Sequence, residues 1–118
     1  MGGYKVQARA ADEADALGAD AEMLAEAGVF SIVLEGIPST LANRVTATVP
    51  VPTIGIGAGP SCDGQVLVIH DLLGMLPGTV PKFVRRYADV HAASTEAIKR
   101  WAEDVRAKTF PSADESYG

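Results

Sequence analysis

The first eleven residues carry glycine and alanine without periodicity and read as a loop or arm. From Asp12 the pattern turns helical: Asp12, Glu13 and Asp15 stand where a helix dipole favours negative charge. Leu17, Met23, Leu24 and Ala27 offer an apolar stripe, and Gly28 is placed to end the helix. Phe30-Ser31-Ile32-Val33-Leu34 is an almost unbroken apolar run closed by Glu35, which predicts a strand buried on both faces, as in sheets covered by helices. After Gly36-Ile37-Pro38, Ser39 is expected to cap a second helix from Thr40 to about Thr48, stopped by Pro50 and Pro52. Thr53-Ile54-Gly55-Ile56 predicts a second buried strand and Gln65–Ile69 a third, joined by the tight segment Ser61-Cys62-Asp63-Gly64. A short helix is expected over Pro81–Tyr87 and a longer one from Ala92 to Lys108, with Ile98, Trp101, Ala102 and Val105 as its apolar face. The tail after Phe110 has no regular signal, and no repeat or low-complexity tract is present.

Helices alternating with apolar strands predict an α/β fold with parallel strands, parallel neighbours ending at one rim with Glu35 and His70. Three strands are too few for a complete (β/α)8 barrel, which takes about 250 residues. With 118 residues the chain has room for one domain.

Composition narrows the function. A hydrophobic fraction of 47% and a charged fraction of 21% are ordinary for a globular domain. A net charge of −5 with dispersed basic residues argues against nucleic-acid binding. Only Lys82, Arg85 and Arg86 stand close together, which suits a solvated helix face or an anion site. One cysteine, Cys62, excludes an internal disulfide, and two histidines, His70 and His91, do not make a His-rich metal site. No apolar run reaches the roughly 18 residues of a membrane span, and Met1–Lys5 does not resemble a signal peptide, so a reduced, cytoplasmic setting is expected.

Glu35 is the principal candidate for chemistry. It is a carboxylate at the C-terminal end of an otherwise apolar strand, the end at which parallel α/β folds bind ligands. A carboxylate partly stripped of water there suits general-base work; the competing reading is a structural group bonded to the amides of the next loop. Gly55-Ile56-Gly57-Ala58-Gly59 lacks the dinucleotide fingerprint and reads either as close backbone approach or as a phosphate loop. His70-Asp71 is expected to close the third strand, as a structural pair or as support for a site. Cys62 has no basic neighbour in sequence and reads as a small hydrophobe; Trp101 reads as core or interface.

Several blocks together resemble the ketopantoate hydroxymethyltransferase family: Gly2-Gly3-Tyr4-Lys5-Val6-Gln7; Val33-Leu34-Glu35-Gly36-Ile37-Pro38; Thr53 through Gly59 with Cys62-Asp63-Gly64-Gln65-Val66-Leu67-Val68; and His70-Asp71-Leu72-Leu73-Gly74. Pro81 through Asp89, and Phe110-Pro111 ahead of Glu115-Ser116, continue it, so the likeness spans the chain. The resemblance implies one domain over residues 1–118, a partial (β/α)8 TIM barrel holding strands six to eight. It implies transfer of a one-carbon unit from 5,10-methylenetetrahydrofolate to 3-methyl-2-oxobutanoate, giving ketopantoate for pantothenate synthesis, with Mg2+ holding the keto acid and Glu35 matching the proposed base. It further implies a homo-oligomer, contacted through the helix bearing Ile98, Trp101 and Val105.

Two departures bear on this. The family's acidic metal ligands and most of its keto-acid contacts belong to earlier strands and match nothing here. The family's glycine after the Val-Gln pair is Ala8, which removes backbone freedom. The expectations are therefore a transferase inactive as this chain alone, or a non-catalytic partial barrel that pairs with other chains, such as a complementary barrel half. A phosphate- or sugar-binding half barrel rests only on the glycine strand. With one wall of the barrel absent, the isolated chain is not expected to be a stable soluble monomer.

Overall fold

The computed structural model describes residues 5–118; the expectations placed on Met1 through Tyr4 lie outside the described residues. Residues 5–10 carry no regular structure, and four helices and three strands follow among the described residues: α1 (Ala11–Glu26), β1 (Ile32–Glu35), α2 (Ser39–Thr48), β2 (Thr53–Ile56), β3 (Gly64–Gln65), α3 (Ile69–Leu72) and α4 (Val90–Ala107). The chain is α/β with a small parallel sheet, and it divides into two compact units. The first holds the sheet, α1 and α2, with residues 80–84; the second holds α3, α4 and the segments around them.

In the first unit the sheet order is β1-β2-β3, all parallel. Ile32 lies opposite Thr53 and Glu35 opposite Ile56; Gly55 lies opposite Gln65. The expected tight connection between β2 and β3 holds no helix, yet the strands are parallel. A Cβ on Gly55 would stand 2.9 Å from the Cys62 sulfur and 3.2 Å from the Gln65 amide, so the connecting segment packs directly on β2 at this glycine.

Helix α1 is rich in strong helix formers, and Asp12 and Glu13 occupy its first turn as expected. Its inward stripe is Ala14, Leu17, Ala21 and Ala25, not the expected set with Met23. Those four keep the three- and four-residue spacing of one face, whereas Met23 lies about 240° round the helix from Leu17 and is exposed. Gly28 follows the cap with φ 95°, a conformation open to glycine at a helix end. In α2, Leu41, Ala42 and Val45 are buried against the sheet. Ser39 does not cap this helix; it is the first helical residue, and Pro38 holds the cap position, with its carbonyl accepting the Ala42 amide at 3.1 Å.

The strands were expected to be buried on both faces. Instead β1 alternates, with Ile32 and Leu34 buried and Val33 and Glu35 exposed. The helices α1 and α2 cover one face, and among the described residues no second layer covers the other, where Val33 is 58% exposed. The third strand is also shorter than expected. Val66 still donates its amide to the Gly55 carbonyl at 3.0 Å, but β2 turns away at Gly57 (φ 65°), so no partner remains further on. The chain coils into α3 instead, and His70 sits on that helical turn, not at a strand end.

The expected helix over Pro81–Tyr87, whose residues divide between the two units after Val84, is absent. One turn closes from Val84 to Pro81; further on, Tyr87, Val90 and His91 donate their amides to the carbonyls of Leu72, Leu73 and Gly74, tying the segment that leads into α4 to the end of α3. Lys82, Arg85 and Arg86 therefore share no helix face. Arg86 clamps the carbonyls of Leu76 and Gly78, and Arg85 lies over the Tyr87 ring at 5.7 Å. Gly74, with φ 61°, admits no side chain, because a Cβ would strike the Ala88 carbonyl. Helix α4 starts at Val90, capped by the Asp89 carboxylate accepting from the Ala92 amide at 3.0 Å. Its expected apolar face is exposed: Ile98 at 65% and Trp101 at 55%. Trp101 meets Phe110 edge-to-face at 6.3 Å. No helix among the described residues is long and apolar enough to cross a membrane.

Candidate functional site

The C-terminal ends of β1 and β2 gather the sheet unit's polar and glycine-rich turns. Glu35 is the last residue of β1, and strand alternation puts its side chain on the uncovered face with Val33. The next residue ties three segments together. Gly36 donates to the Ile56 carbonyl at 2.9 Å and accepts the Gln7 amide at 2.7 Å, so the segment before α1 is held at this rim. Gly36 has φ 62°, which lets the chain turn directly into Ile37, Pro38 and α2.

Beyond β2, Gly57 and Gly59 also adopt positive φ around the fully buried Ala58. A Cβ on Gly59 would strike that of Ser39, so this loop packs directly on the first turn of α2. Gln65 donates its side-chain amide to the Gly59 carbonyl at 2.9 Å. These contacts favour close backbone approach over phosphate binding as the reason for the glycines. Ala8 takes φ 56° at the same rim, where the resemblance led to the expectation of a position suited to glycine.

The Glu35 carboxylate has no hydrogen-bond partner among the described residues. The structural alternative, a carboxylate held by the amides of the next loop, is therefore not what the geometry contains. The expected desolvation is also absent: Glu35 is exposed, because the face it occupies carries no second wall. Cys62 packs at the edge of the core and behaves as the small hydrophobe expected. His70 and Asp71 belong to α3 in the other unit.

Sequence reasoning missed the polar lock at the opposite end of the sheet. Thr53 is fully buried; its hydroxyl shares a 2.8 Å hydrogen bond with that of Thr46, and its amide donates to the Asp63 carboxylate at 2.9 Å. The Asp63 amide returns a bond to the Thr53 hydroxyl at 3.3 Å. This ring fastens the start of β2 to the turn entering β3 and to α2. The available signal was a threonine opening an apolar strand, with an aspartate before the glycine of the next.

Among the described residues no three His, Cys, Asp or Glu side chains gather in a set able to hold a metal ion. Glu35 is the only such side chain on the uncovered face of β1 and β2, so these residues do not fit a Mg2+ ion by themselves.

Comparison with known proteins adds the missing context. The family model for ketopantoate hydroxymethyltransferase matches residues 1–113. Over 118 residues the chain is 56% identical to the 3-methyl-2-oxobutanoate hydroxymethyltransferase of Syntrophobacter fumaroxidans, covering 100% of this chain and 42% of that protein. The similarly named protein of a Methylobacterium species is 56% identical over 117 residues, 99% of this chain and 41% of its own length. That of Moorella thermoacetica is 51% identical over 117 residues, 99% of this chain and 44% of its own length. The chain thus spans about two fifths of the curated relatives it matches.

Proposed function

The chain belongs to the ketopantoate hydroxymethyltransferase family, and on that premise we propose that it supplies the proton-abstracting wall of a 3-methyl-2-oxobutanoate hydroxymethyltransferase. The observation that carries this reading is the Glu35 carboxylate, unpartnered among the described residues on the uncovered face at the C-terminal end of β1. In this reading β1, β2 and β3 are strands six, seven and eight of a (β/α)8 barrel, and residues 1–118 are its C-terminal part. The uncovered face of Val33, Glu35, Ile54 and Ile56 then looks into the barrel, where the opposite strands exclude water.

Glu35 takes the proton from C3 of 3-methyl-2-oxobutanoate. The resulting carbanion forms a carbon–carbon bond with the one-carbon unit of 5,10-methylenetetrahydrofolate. Both bonds from that carbon to nitrogen break: one as the carbanion attacks, its nitrogen taking the proton from Glu35, and one as water supplies the hydroxyl and protonates the second nitrogen, so tetrahydrofolate leaves with ketopantoate as product. Mg2+, which the family resemblance implies, polarises a keto acid when bound, but no set of residues on this chain suits it. The remaining three fifths of the enzyme must therefore carry it. This chain alone is inactive, and its working state is an oligomeric cytoplasmic enzyme. The exposed apolar side of α4 supports the oligomeric part of that reading.

A chimera of the Syntrophobacter fumaroxidans relative, with this chain as its C-terminal part, tests the assignment. Glu35→Gln in that chimera should slow exchange of the C3 hydrogen with deuterated water by about 10²–10⁴-fold. Binding of the keto acid should change little. Undiminished exchange would remove Glu35 as the base. A non-catalytic partial barrel is the second reading, favoured by the exposure of Glu35 and the lack of a metal-binding set; a chimera inert with either residue would support it.

A further inference from the structure

Beside the starts of α1 and α2 lies a hollow of about 340 Å³ that the Glu35 site does not use. Ala14, Pro38 and Leu41 give it an apolar floor, and Arg9, Thr40 and Arg44 are its polar lining. Its charged groups are both guanidinium ions, and no acidic side chain lines it. The hollow belongs to the two helices that cover one face of the sheet, whereas Glu35 stands on the uncovered face.

The two arginines are held differently. Arg44 is anchored from one side: its Nη2 donates to the Ala14 carbonyl at 3.1 Å and to Asp15 Oδ1 at 3.4 Å. Those bonds use a single nitrogen of the fork, so Nη1 and Nε stay available as donors. Arg9 has no hydrogen-bond or ion-pair partner among the described residues. Asp15 lines the adjoining hollow, not this one, and Arg44 borders both. The Asp15 side chain is 77% exposed, so water screens its pull on Arg44. Asp12 and Glu13 in the first turn of α1 lower the local potential without lining the hollow.

We propose that this hollow binds a small organic dianion, a dicarboxylate or a phosphate monoester with a short alkyl stem. Two guanidinium charges with no acidic partner inside the hollow set the charge of the ligand. An anchored planar fork matches an oxyanion through paired N–H bonds, and the Thr40 hydroxyl adds a donor beside it. The apolar floor favours a ligand that carries an alkyl stem over a bare inorganic ion. The site stands on these contacts alone and owes nothing to the role given to Glu35.

Equilibrium dialysis of the full chain at low salt, against glutarate, butyl phosphate and inorganic phosphate in turn, is the test. Glutarate or butyl phosphate should bind saturably, at least about fivefold more tightly than inorganic phosphate, which lacks the stem. The tighter of the two identifies the oxyanion. Arg9 bonds to no described residue, so Arg9→Gln should keep the fold and weaken binding at least about fivefold. Arg44→Lys keeps the charge but loses the fork, and should weaken binding at least about threefold. Arg85→Gln, in the other unit, should leave binding unchanged.

No saturable binding of either stem-bearing dianion would overturn the proposal, as would inorganic phosphate binding as tightly as both. Undiminished affinity in Arg9→Gln and Arg44→Lys would place the ligand elsewhere and overturn it too. An equal loss in Arg85→Gln and Arg9→Gln would overturn it by showing diffuse attraction to basic side chains in place of a site.

Discussion

The two compact units of this chain hold their shape by different means. Among the described residues, all nine buried hydrophobic ones, from Ala21 to Ala58, belong to the sheet unit, where α1 and α2 press on one face of β1 and β2. In the unit around α4 Gly74 is the one buried residue among those described, and its order comes from backbone hydrogen bonds, the Asp89 cap, the Arg86 clamp and the edge contact of Trp101 with Phe110. Apolar burial stabilises by roughly 25 cal/mol per Å², so the sheet unit has a source of cooperative stability that the α4 unit lacks. The difference teaches that Ile98, Trp101 and Val105, mostly exposed apart from the edge contact of Trp101 with Phe110, add little to α4 as they stand, whereas Leu41 and Val45 already stabilise α2.

The largest expected effect tests that contrast directly. Leu41→Ala opens a cavity in the core of the sheet unit and should cost about 2–5 kcal/mol in urea unfolding of that unit. The matching truncation Ile98→Ala should cost less than about 0.5 kcal/mol, because its site is exposed. Equal losses would break the comparison by showing that α4 is covered in solution.

Gly74→Ala is the sharpest probe of the other unit. It forces a Cβ into a left-handed conformation and against the Ala88 carbonyl, and should cost more than about 2 kcal/mol. The amides of Tyr87, Val90 and His91 should lose their exchange protection. Retained protection would mean that backbone pairing is not what orders this segment.

Thr53→Val keeps the shape of the buried side chain and deletes its hydroxyl. Thr46 and Asp63 each lose a partner, so the sheet unit should fall by about 1–3 kcal/mol. A neutral result would assign the stability of the sheet unit to apolar packing alone.

Ala8→Gly is the smallest expected change and has the opposite sign. Its φ of 56° strains a residue with a Cβ, and relief of that strain should raise the melting free energy by about 0.5–1 kcal/mol after the greater freedom of glycine in the unfolded chain is counted. A loss would place the strain elsewhere at the rim.

By itself, the sequence determined the elements whose signals are local. The run Ile32-Val33-Leu34 and the motif Thr53-Ile54-Gly55-Ile56 became strands because β-branched residues bounded by glycine and proline leave little else open to them. Glu35 was legible as the polar end of the first apolar run, and the last helix, expected from Ala92 and found from Val90, was legible from the helical spacing of Ile98, Trp101, Ala102 and Val105. Family membership was legible because order and spacing of many short blocks together are specific.

Tertiary structure decided what depends on neighbours. Only the pairing of strands could tell that β3 stops when β2 turns away at Gly57. Only packing could put His70 on α3, since a residue stays in a strand no longer than its partner strand runs beside it. The exposure of Glu35 belongs here too. An apolar strand carries the pattern of two-sided burial in its sequence, but burial is a property of whatever lies against it, and one face of β1 has no wall among the described residues.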